Sequence, residues 1–69
     1  MIIQVPNVKL SGNVKDGDLI ALHRENRFIG CATIMAITPN EVTINLDRKA
    51  SKTFTELYGE DIPFNFEIE

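Results

Sequence analysis

The chain has 69 residues, 43% hydrophobic and 25% charged, with a formal net charge of −3. That leaves room for one domain spanning 1–69 with one core, which excludes a multidomain enzyme, and its many valines and isoleucines exclude a disordered tail. The single cysteine, Cys31, allows no internal disulfide, and the single histidine, His23, allows no Cys/His zinc site, so self-association is the reinforcement left to a chain this small.

In chain order, the opening Met1-Ile2-Ile3-Gln4-Val5-Pro6 lacks the basic region and small-residue cleavage site of a secretion signal, and no apolar run reaches a membrane span. Together with the lone thiol, this predicts a cytoplasmic protein that does not engage membranes. Residues 2–5 and 8–10 read as strand segments separated by Pro6, which cannot donate a ladder hydrogen bond. Turn signals follow at Asn7, at Gly12-Asn13 and at Asp16-Gly17.

The stretch from Asp18 to Asp47 parses as three antiparallel strands over 18–24, 27–38 and 41–47. A two-residue loop at Glu25-Asn26 sets Arg24 against Arg27. An uninterrupted register from there puts Ile20, Leu22, Ile29, Cys31, Thr33, Met35 and Ile37 on one face. An even-length loop at Pro39-Asn40 adds Val42, Ile44 and Leu46 to it, with Glu41, Thr43, Asn45 and Asp47 pointing away. The opposite face then carries Leu19, Ala21, His23, Phe28, Gly30, Ala32, Ile34 and Ala36, which is too apolar for open solvent. Gly30 is the position for a bend or bulge in the long middle strand.

Beyond these strands, Phe54, Leu57 and Tyr58 follow helical spacing, with Ser51 or Thr53 as a cap and Gly59 as a stop. One or two helical turns are expected there. The alternation Phe64-Asn65-Phe66-Glu67-Ile68-Glu69 then predicts a closing strand with Phe64, Phe66 and Ile68 inward. The fold class expected is all-β: a small five-stranded antiparallel barrel or sandwich of SH3-like or Sm-like architecture, with one short helical turn before the last strand.

No catalytic set converges. His23 and Cys31 fall on opposite faces of that uninterrupted register, and Asp16-Gly17-Asp18 reads as a turn lacking the further ligands of a calcium loop. The glycines make no phosphate cradle, so no metal, cofactor or small-molecule substrate is expected. The function that fits is a non-enzymatic binding or regulatory module. It would act by protein–protein interaction, as a homo-oligomer or on a larger partner, through Leu19, Ala21, His23, Phe28 and Ile34.

The alternative is an RNA- or single-stranded-DNA-binding barrel using Arg24, Arg27, Arg48, Lys49 and Lys52, with Phe28, Phe54 and Tyr58 as stacking partners. Residues 1–52 carry all seven Lys and Arg against five acids, whereas 53–69 carry five acids and no base. The body is therefore mildly basic and the closing segment acidic. Met1-Ile2-Ile3 and Pro39-Asn40-Glu41-Val42-Thr43-Ile44-Asn45-Leu46 resemble the small RNA-binding dimers of the carbon-storage regulator family. That family's basic patch near its last strand has no counterpart here, because the region is Tyr58-Gly59-Glu60-Asp61, and membership does not follow.

Overall fold

A computed structural model describes residues 1–6, 9–10, 13–63 and 65–68 of the chain. The expected turns at Asn7 and Gly12 and the inward placement of Phe64 lie outside the described residues. The elements are β1 (Ile2–Pro6), β2 (Lys9–Leu10), β3 (Leu19–Arg24), β4 (Arg27–Ile37), β5 (Glu41–Leu46), α1 (Arg48–Tyr58) and β6 (Phe66–Ile68). They form one sheet in the order β1-β5-β4-β3-β6-β2, with α1 packed against β4 and, less extensively, β5. The architecture is thus mainly β, as the sequence predicts: β1, β3, β4, β5 and β6 are antiparallel, and the two-residue β2 runs parallel to β6. Among the described residues no ladder joins β1 to β2, so the sheet is not closed.

The turns follow their residues. Glu25 and Asn26 both adopt positive φ, as a two-residue hairpin loop matching strand twist requires, and Arg24 pairs with Arg27. Around Pro39-Asn40 the loop is even, with Ile37 opposite Val42, and the Thr38 N–H donates to the Glu41 carbonyl at 2.9 Å. The Asp16-Gly17 turn leads into β3: the Asp18 N–H donates to the Lys15 carbonyl, and the Lys15 N–H donates to Asp18 Oδ2 at 3.0 Å.

Two β-bulges break the single register expected for β4. Leu22 faces Gly30 but His23 faces Phe28, leaving Ile29 as the extra residue; Ile34 faces Ile44 but Ala36 faces Thr43, leaving Met35 extra. Each insertion reverses the in–out alternation. Between the bulges it is therefore Ala32 and Ile34 that point into the core, not Cys31 and Thr33, which are half-buried on the outer side. Met35 is 48% exposed rather than inward. Ile34, expected on the second apolar face, is only 1% exposed.

Ile20, Leu22, Ile29, Val42, Ile44 and Leu46 are buried as predicted, joined by Ile3, Val5, Phe66 and Ile68. The core is closed over by Ala50 and Phe54 of α1. Phe54, Tyr58 and Phe66 form an aromatic cluster, with ring centroids 5.0 to 5.9 Å apart.

The helix is longer than the expected one or two turns and begins three residues earlier than Ser51. Its cap is Asp47 rather than Ser51 or Thr53: Asp47 Oδ1 accepts from the Ala50 N–H at 2.7 Å. Gly59 ends it with a positive φ, and its N–H donates to the Thr55 carbonyl at 2.9 Å.

Candidate functional site

Strand alternation gives the sheet an outer face, on the side away from the core that Ala50 and Phe54 of α1 close. Across β1, β5, β4 and β3, one row reads Ile2, Asn45, Thr33, Leu19, and the next positions supply Gln4, Thr43, Ala21 and Cys31. This central area holds no charged side chain. Leu19 stands 74% exposed, Ile2 60% and Phe28 56%. Because Ala32 and Ile34 turn inward, the face is less apolar than the uninterrupted register predicts. Of the five residues expected to make contact, Leu19, Ala21, His23 and Phe28 are on it, and Ile34 is not, because the alternation has already been reversed where it enters β4.

At one end of this face the rings of His23 and Phe28 meet with centroids 5.3 Å apart, and Glu67 of β6 is the cross-strand neighbour of His23. His23 Nδ1 is buried without a partner among the described residues. The first bulge also overturns the separation of His23 from Cys31. Both lie on the outer side, although no hydrogen bond joins them among the described residues.

A groove lies elsewhere, between the start of β4 and α1. It has a volume of about 670 Å³ and is lined by Phe28 to Cys31 on one side and by Asp47, Lys49, Lys52, Thr53 and Glu56 on the other. Lys49, Lys52, Thr53 and Glu56 share a helix face by their i, i+3, i+4, i+7 spacing. The fold thus brings the aromatic of the first basic cluster against two lysines of the second, which the sequence separates by about twenty residues.

Arg24 and Arg27 open onto a different groove, with Glu25, Leu57 and Tyr58. The Arg24 guanidinium lies 5.5 Å above the Tyr58 ring and 3.5 Å from the Glu25 carboxylate. Arg48 is exposed and lines neither groove. Four of the five basic residues therefore divide between two grooves and Arg48 lies outside both, so they do not form one strip. A third groove, of about 560 Å³, runs along β1 and includes Ile2, Gln4, Thr43 and Ile62.

Among the described residues no three of His, Cys, Asp and Glu are placed to hold a metal ion, and no helix is long and apolar enough to cross a membrane. Sequence reasoning missed Asp47, Thr53 and Glu56 as groove residues because it placed Asp47 in a strand and started the helix late. The signal present was Asp47 three residues before Ala50, the N-cap spacing. No family model matches the chain, and no curated protein or solved structure matches it either.

Proposed function

We propose that the protein is a non-enzymatic binding module of the cytoplasm, acting by protein–protein interaction without a cofactor. It would self-associate or dock on a larger partner through the outer sheet face around Leu19, Ala21, His23 and Phe28. The observation that carries this reading is that Leu19 and Phe28 stand 74% and 56% exposed on the outer side of the sheet, away from the core that α1 closes. Large apolar side chains left exposed on one sheet face are a usual mark of an interface, and aromatics are its usual anchors. We read the fold as a small barrel of SH3-like or Sm-like architecture. In support, β1 and β2 end the strand order on opposite sides yet follow one another in the chain, so one N-terminal stretch runs along both edges.

Size-exclusion chromatography with light scattering tests self-association. The wild type is expected above its 7.8 kDa monomer mass at tens of micromolar. Phe28→Asp and Leu19→Asp are expected to run as folded monomers, with unchanged far-ultraviolet circular dichroism. A monomeric wild type removes self-association. Docking on another protein then stands only if a partner held by the wild type is lost by both variants.

A second reading, a module binding RNA or single-stranded DNA, is favoured by Phe28, Lys49 and Lys52 lining one groove, with Arg27, Arg24 and Arg48 nearby in the chain. It requires binding to an oligothymidylate that weakens steeply with salt. Absence of binding at low salt disposes of it.

A further inference from the structure

Strand β4 has a ladder on both sides only at Ala32 and Thr33. Its neighbour β5 reaches Ala32 with Leu46 and then leaves the sheet, because Asp47 caps α1. From Arg27 to Cys31, β4 has β3 on one side and no strand on the other among the described residues. Backbone alternation fixes which groups face the open side. The Ile34 N–H donates to the Asp18 carbonyl and its own carbonyl accepts from the Gly17 N–H, so Ile34 points toward β3 and Cys31 away from it. Accordingly, the Asp47 N–H donates to the Cys31 carbonyl at 3.1 Å. The Asp47 carbonyl accepts from Ser51, and the Cys31 N–H has no partner among the described residues. At the hairpin end, a two-residue loop makes Arg24 and Arg27 exchange bonds, which turns the Phe28 N–H and carbonyl to the open side.

This open half-edge is one wall of the 670 Å³ groove, and the Lys49, Lys52, Thr53 and Glu56 face of α1 is the other. We propose that the groove takes an extended acidic peptide segment of a partner protein, added to β4 as a strand. Its carboxylates would be set against Lys49 and Lys52. The inference rests on the reading of the chain as a protein-binding module and names the partner's chemistry.

Charge selects the occupant. Neither lysine has an ion-pair partner among the described residues. Of the two acids in the lining, Asp47 stands at the helix start, its Oδ1 accepting from the Ala50 N–H, and Glu56 at the far end, so an acidic ligand residue is favoured beside Lys49 and Lys52 and disfavoured at either end. The edge offers N–H donors together with a carbonyl acceptor. A peptide backbone satisfies both, whereas a phosphodiester backbone supplies only acceptors and is repelled by Glu56.

The test uses the whole chain, labelled with nitrogen-15. It is titrated with an acetylated peptide alternating valine and glutamate, the same peptide with lysine for glutamate, and copies N-methylated on alternate amides in both phases. Saturable shifts are expected at the amides of Phe28, Cys31, Lys49, Lys52 and Thr53. Lys49→Glu combined with Lys52→Glu is expected to weaken binding by about fivefold, the effect of two exposed ion pairs. One N-methylated phase should bind at least tenfold more weakly. The proposal is overturned by equal binding of the lysine peptide, by indifference to both methylation phases, by shifts confined to Leu19, Thr33 and Asn45, by no saturation at millimolar peptide, or by oligothymidylate occupying the groove in the peptide's place. Self-association that survives the double lysine variant while the peptides fail would overturn the groove alone and leave the sheet-face reading standing.

Discussion

Gly30→Ala is the sharpest test of how α1 is seated. A Cβ added at Gly30 would lie 2.7 Å from the Ala50 Cα and 3.4 Å from its N, and nearer still to the Ala50 Cβ. Carbon atoms normally pack at ~3.5–4.0 Å, so the helix must retreat by about 1 Å. It cannot do so freely. The Asp47 cap fixes its start to the end of β5, and Phe54 is stacked on Phe66 about two turns later. Overpacking of this kind costs about 1–3 kcal/mol, and a backbone obstacle places it near the upper end. The stiffer unfolded chain returns about 0.5 kcal/mol, for a net loss of about 2 kcal/mol.

A domain of this length loses about 4–8 °C of Tm per kcal/mol, so thermal melts by circular dichroism should fall by about 10–15 °C, with urea midpoints moving in parallel. Adding Ala50→Gly removes the nearest atom at a helix-propensity cost of about 1 kcal/mol. The double variant should therefore be about 1 kcal/mol more stable than the two single losses predict when added. If Gly30→Ala melts at or above the wild-type temperature with an unchanged urea slope, the close approach of α1 to β4 is wrong.

The bulge at Met35 is checked by neighbouring truncations. Ile34→Ala should cost about 2–5 kcal/mol and Met35→Ala within about 0.5 kcal/mol, and the reverse order would restore the uninterrupted register. Asp47→Ala should lower stability by about 1 kcal/mol in urea unfolding, while Ser51→Ala, if Asp47 is the cap, should cost clearly less.

What could be read from the sequence divides along physical lines. Local rules with a single cause held: Glu25-Asn26 formed the tight hairpin, Gly59 ended the helix, and the alternation of Val42, Ile44 and Leu46 gave the buried side of β5. Gly30 marked the first bulge because the helix backbone crosses there and leaves no space for a side chain. The second bulge had no comparable mark. Met35 and Ala36 are both acceptable inside or outside, and only the requirement that Ile34 and Ile44 share the core decides between registers. An error of one residue in a strand exchanges all its faces, so Cys31, Thr33 and Ile34 were misplaced together. The helix start was hidden similarly, since Asp47 continues the polar alternation of β5 and gives no sign in a strand pattern that it also caps.

The bulges also change what the small size of the chain implies. In an uninterrupted register, Ala32 and Ile34 would leave a broad apolar face for the N-terminal strand, the closing strand or a second subunit to cover. With both turned inward, the core gains two more buried side chains, and the demand for a covering partner contracts to Leu19, Ile2, Phe28 and Met35. The departure of β5 into α1 at Asp47 has the opposite effect on the backbone, because among the described residues it leaves Arg27 to Cys31 of β4 without a second neighbour strand. Hydrophobic demand on the outer face thus falls while hydrogen-bonding demand at the groove rises. Of the two candidate surfaces, the groove is the more selective, because an unsatisfied strand edge accepts only another extended backbone, whereas an exposed leucine accepts any apolar contact.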